Sequence, residues 1–146
     1  MNFIFWTSSF LFKMLNYPPK ILIAFGETFS ETDSAFQQWL LQNGYPELAA
    51  LSSAIRGSYE AADWLLKNNY PQFAALDGAI DKQPKAYAWL RKYNFDFLVM
   101  FADAVHQRPE AEKWLRENDV PIFLLLAEKI RNFRDSQTFD YHKLHF

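Results

Sequence analysis

The sequence predicts an all-α fold, a short α-solenoid of stacked antiparallel helix hairpins with about four and a half repeats of 25 residues. Trp-Leu pairs stand at 39–40, 64–65, 89–90 and 114–115, and that constant step of 25 residues marks an internal repeat. Around each pair the buried type recurs at helical offsets. Ala61, Trp64, Leu65 and Asn68 share one face at i, i+3, i+4 and i+7, while Glu60, Asp63 and Lys67 fall opposite. Between the pairs lie three further columns, Leu48/Phe73/Leu98/Phe123, Leu51/Leu76/Phe101/Leu126 and Ile55/Ile80/Val105/Ile130, spaced three and four apart as one stripe.

Taken in order, residues 1–32 form an irregular first copy. Residues 6–15 are expected as a divergent helix, followed through Asn16-Tyr17-Pro18 by a helix from Pro19 to about Glu27. Regular repeats fill 33–133, so residues 1–133 make one domain, and 134–146 are expected as a C-terminal tail. The helices that carry Trp-Leu, here B helices, are predicted at 33–43, 58–68, 84–93 and 109–118. Asp33 or Ser34 and Ser58 can accept from the first turn, Pro84 and Pro109 suit a first helical position, and Asn-Gly or Asn-Asn suits the exit. The intervening A helices open at Tyr45-Pro46, Tyr70-Pro71, Phe95-Asp96 and Val120-Pro121. Stacking these units at the usual interhelical spacing predicts a curved slab on the order of 40–50 Å long. The tryptophan column shares the apolar phase and is expected to be its spine.

Ala61-Ala62-Asp63-Trp64-Leu65-Leu66, closing on Asn68-Asn69, resembles the second helix of an ankyrin repeat. Pro46 with Ala49-Ala50, and Pro71 with Ala74-Ala75, resemble the opening of its first helix. Tyr or Phe stands where that family has threonine, the histidine is absent, and a 25-residue unit leaves no room for the β-hairpin finger. The resemblance spans 33–133, implies stacked helix pairs and partner binding, and transfers no site residue.

Composition narrows the function. With 15 basic and 17 acidic residues and a net charge of −2, the sequence offers no basic face for nucleic acid. Cysteine is absent, which removes disulfides and thiolate chemistry. Residues 1–15 carry one charge, Lys13, and lack both the basic opening of a signal peptide and the length of a membrane span. They are read as part of a folded helix in a cytoplasmic protein, with membrane contact or an atypical export signal as the competing readings.

No phosphate loop, nucleophile elbow or His-Glu-x-x-His occurs, so no enzyme, no cofactor and no metal are expected. The reading is a non-catalytic protein–protein interaction module or scaffold with a protein or peptide partner. The alternative is a metal- or ligand-binding protein or enzyme using Asp103, His106 and Glu128, or the tail residues Asp140, His142 and His145. Two A-helix columns point to the binding surface. Glu47/Gln72/Phe97/Ile122 and Ala50/Ala75/Met100/Leu125 turn from polar or small to bulky and apolar along the chain. Phe97, Met100, Asp103, Ile122, Leu125 and Glu128 are therefore the candidate contacts, covered by the tail aromatics or by a second copy in a homodimer.

Overall fold

Proline and one left-handed residue per turn set the helix limits. The computed structural model describes the backbone of residues 17–144 and the side chains of residues 17–137. Among the described residues all regular structure is helical. The helices are α1 (Pro19–Glu27), α2 (Ala35–Gln42), α3 (Pro46–Ile55), α4 (Tyr59–Lys67), α5 (Pro71–Ile80), α6 (Pro84–Lys92), α7 (Asp96–Val105), α8 (Pro109–Glu117) and α9 (Pro121–Leu144). Every proline except Pro18 is the first residue of a helix, where a missing N–H leaves no bond unmade. From α2 to α8 each helix is followed by a single residue at positive φ: Gly44, Gly57, Asn69, Lys82, Asn94, Gln107 and Asp119. The N–H after it reaches back five residues to a helix carbonyl, as Tyr70 N to Leu65 O at 2.8 Å and Arg108 N to Asp103 O at 3.0 Å. Turns this tight fold each helix back antiparallel on the one before.

The expected A helices are α1, α3, α5, α7 and α9, and the B helices are α2, α4, α6 and α8, each B helix within two residues of its expected limits. Ser58 caps α4 as expected, its Oγ accepting from Ala61 N at 3.1 Å. At α2 the acceptors are Asp33, from Ala35 N, and Glu31, from Phe36 N at 2.6 Å. Ser34 instead takes the left-handed conformation and makes no cap bond.

The slab is corrected in one respect: its ends meet. The A helices pack α3 on α5, α5 on α7, α7 on α9 and α9 on α1, which also touches α3. They make a closed ring of five. Each B helix lies outside it, α2 against α1 and α3, α4 against α3 and α5, α6 against α5 and α7, α8 against α7 and α9. Three features hold the closing contact. Gly26 of α1 lacks a side chain where α9 arrives, since a Cβ there would lie 2.8 Å from Leu126 Cδ2. Phe29 meets Phe133 with ring centroids 6.0 Å apart, and Lys129 Nζ lies 3.0 Å from Glu27 Oε1. Without this contact α1 and α9 would each lose the cover that the other gives to its apolar face.

The predicted A-helix stripe is the inner core. Leu51, Leu76, Phe101 and Leu126 are essentially inaccessible, as are Ile80, Val105 and Ile130. The tryptophan spine needs correction. Trp39, Trp64, Trp89 and Trp114 are half-buried and pack against the core from its edge, whereas the partner residues Leu40, Leu65, Leu90 and Leu115 are each 0% exposed. One helical position of phase separates the two columns, about 100°, and the leucine points between the two A helices beneath. Trp64 stacks on Tyr70 at 6.2 Å and Trp89 on Phe95 at 5.7 Å, so two of the tryptophans brace the aromatic residue that precedes the next A helix.

The tail also differs from expectation. Residues 134–144 continue α9, which runs on to Leu144 while its equivalents α3, α5 and α7 stop at Ile55, Ile80 and Val105. Past Ile130, the matching position, α9 extends roughly 20 Å further at 1.5 Å per residue.

Candidate functional site

The overrun of α9 makes a wall beside the carboxyl ends of α3, α5 and α7, and a cavity of about 560 Å³ opens between them. Its floor is apolar, with Ala54, Ile55, Val105 and Phe133. Its rim is a repeat column, Arg56, Asp81, His106 and Arg131, with Lys82 and Arg134 beside it. These four column positions are 25 residues apart, so the solenoid itself brings them to one mouth.

Each of the four column side chains is held by a hydrogen bond. Arg56 donates through Nη2 to Gln37 Oε1 at 3.0 Å, and Gln37 Nε2 in turn bonds Ser53 Oγ at 2.7 Å. Arg131 crosses to the end of α7, with Nε 2.9 Å from Val105 O and Nη2 2.8 Å from Ala104 O. Arg134 Nη1 meets Asp81 Oδ1 at 2.7 Å. His106 Nε2 lies 3.1 Å from Ala79 O. A carbonyl only accepts, so Nε2 carries the hydrogen and Nδ1 is left as an acceptor. Burial, foremost, lowers the His106 pKa, the hydrogen bond to Ala79 O opposes it, and Lys82, Arg108 and Arg134 add to the lowering, so the ring is neutral at neutral pH.

Asp77 lies one turn before Asp81 on α5. Burial, and then the Asp81 charge, push its carboxyl up to about 6 against the pull of Arg134. The folded chain thus binds this proton more tightly than the unfolded chain, whose value is 3.8. Its contribution to stability is complete below the unfolded value and is lost as pH rises to the folded one. Asp77→Asn is expected to raise Tm near pH ~7.5 and to leave it unchanged near pH ~3, measured by thermal denaturation at both. An equal shift at the two pH values would show that the charge is not the cause.

The residues singled out from sequence, on the adjacent helices α7 and α9, differ in burial and in partners. Phe97 is core, 5% exposed, with its ring 4.9 Å from Phe123 and 6.1 Å from Trp114. Met100 and Ile122 are half-buried against the core, and Leu125 is 45% exposed. Asp103 pairs with Arg108, whose guanidinium lies 5.6 Å from the Tyr87 ring. Burial, then the Asp103 charge, push the Tyr87 hydroxyl up to about 12. Glu128 is exposed and forms no ion pair with a described residue. Asp103, His106 and Glu128 therefore take separate partners or none, and no acid–base pair joins them. Asp140, His142 and His145 lie outside the described side chains, as does residues 6–15 as a helix.

At the opposite end of the ring Glu47, in the polar column, is 8% exposed. One oxygen accepts from Tyr70 Oη at 3.0 Å, and the other has no hydrogen-bond partner among the described residues. The first turn of α3 favours a negative charge there. Burial, then Glu47, raise the pKa of neighbouring Tyr17.

Sequence reasoning missed Arg56, Lys82, Arg131 and Arg134 as a group. The available signal was the 56/81/106/131 column, polar throughout beside a column of buried aliphatics one residue earlier. Among the described residues no group of three His, Asp or Glu side chains is placed to hold a metal, and no helix is long and apolar enough to cross a membrane. No family model, curated protein or solved structure matches the chain.

Proposed function

We propose that this chain is a non-catalytic protein-interaction module that holds its partner at the carboxyl-end mouth of the helical ring. One observation carries the reading. The core columns repeat nearly the same residue in each copy, whereas the mouth column changes from Arg56 to Asp81 to His106 to Arg131 around a 560 Å³ cavity. Repeat scaffolds use equivalent surface positions in this way, since such positions diverge without disturbing the core. The cavity also brings charged and polar side chains from the ends of α3, α5 and α7 and from α9 together over a small apolar floor, where a polar segment can be held by several of them at once.

Photo-crosslinking tests the reading in cells that make the protein. A photoreactive residue at Gln137, which lines the mouth, is expected to capture a defined partner. The same residue at Lys113, exposed on α8, is expected not to. Equal capture from both positions, or capture from Lys113 alone, would overturn it.

A further inference from the structure

We infer that the occupant of the mouth is an acidic segment of a partner protein, a stretch carrying two or more side-chain carboxylates. This inference rests on the reading of the mouth as the binding site and adds the chemistry of the partner. The first support is charge. The chain as a whole has net charge −2, yet among the described residues Arg56, Lys82, Arg131 and Arg134 face this cavity against Asp81 and Asp135. Arg134 already offsets Asp81 at 2.7 Å. The mouth is thus a positive spot on a molecule that is otherwise negative, which steers carboxylates to it and not elsewhere.

Preorganisation is the second. Arg56 and Arg131 are each pinned along one edge, by Gln37 and by the Ala104 and Val105 carbonyls. A guanidinium has five N–H donors, so each keeps donors for the cavity it lines without any rotamer left to fix on binding. The same bonds answer an objection. Helix carboxyl ends repel anions when their carbonyls are bare, but here Ala79 O is taken by His106 and Lys82 N, and Ala104 O by Arg131 and Gln107 N. Lys82 adds an exposed ammonium that forms no ion pair with a described residue.

Spacing is the third. The bases come from the end of α3, the turn after α5 and two positions of α9, so they suit several separated charges better than one phosphate. A nucleic acid fits poorly. It would need basic residues tracking a backbone beyond the mouth, where this chain is acidic. A peptide also matches His106, whose Nδ1 can accept from a main-chain N–H.

The test is fluorescence anisotropy of labelled hexaglutamate, with hexalysine and an oligothymidine as comparators, against the full chain at low salt. Hexaglutamate is expected to bind, hexalysine not, and added salt to weaken the complex. Lys82→Glu is expected to weaken it about tenfold or more, and Lys113→Glu, with the same net charge, less than about twofold. Both positions are exposed, so equal Tm values confirm that neither variant perturbs the fold. The inference is overturned if hexaglutamate does not bind, if the two variants weaken it equally, or if oligothymidine binds more tightly. Should crosslinking from Gln137 still capture a partner in any of those cases, the mouth remains the binding site and only the acidic chemistry falls.

Discussion

Phe123→Ala is expected to destabilise the protein by about 3–5 kcal/mol, the range for a buried aromatic truncated in a core. Phe123 is 0% exposed and meets two aromatic rings of α7 edge-on, Phe97 at 4.9 Å and Phe101 at 6.0 Å. Its removal deletes both contacts and leaves a hole between α7 and α9 that the ring cannot close, because α9 is also fixed to α1 on its other side. Urea unfolding measures the loss. A cost below about 1 kcal/mol would mean that α9 is not packed into the ring as described.

Gly26→Leu is expected to cost about 3 kcal/mol, at the upper end for overpacking. A glycine inside a helix is itself unfavourable by about 1 kcal/mol relative to alanine, so its presence in α1 calls for a reason. The reason is approach. A Cβ at this position would sit 2.8 Å from Leu126 Cδ2 and 3.1 Å from Lys129 Cδ. Lys129 can swing outward at the expense of its pair with Glu27, but Leu126 is 1% exposed and has nowhere to go. The variant should therefore push α9 from α1 and lower Tm. An unchanged Tm would place α9 further from Gly26 than the packing requires.

How far the sequence could be read depends on the range of the interactions involved. Helix limits were legible because proline, the left-handed turn residue and the 3.6-residue phase all act within one turn of chain. The inner columns were legible for the same reason: Leu51, Leu76, Phe101 and Leu126 repeat at a fixed step and all prove to be core. The roles of tryptophan and leucine were exchanged because both lie within the broad apolar arc of a B helix. Which of two adjacent residues points between the A helices is decided by how deep the helix sits, not by its own sequence. Ring closure left a trace in Gly26, but the glycine shows its meaning only once Leu126, a hundred residues away in sequence, is beside it. The site was the least legible part. Arg56, Lys82, Arg131 and Arg134 read singly as solvated charges, and only the common direction of the A helices and the overrun of α9 gather them. Phe97 was legible as covered but not by what: a bulky residue in a formerly polar column reads as a contact for the tail or a second copy, whereas it packs against Phe123 and Trp114.

Closure of the ring is what brings α9 to its place beside the mouth, and a distance between α1 and α9 tests it most directly. Ile23 and Leu125 are each the fifth residue of their helix, are 49% and 45% exposed, and can be replaced by cysteine in a chain that has none. Spin labels at these two positions measure the separation by pulsed electron resonance. Neighbouring helices 8–10 Å apart, with the label arms added, predict one distance below about 25 Å. A distribution centred at roughly 35 Å or beyond, the span of four successive helix spacings, would mean an open slab and contradict the account.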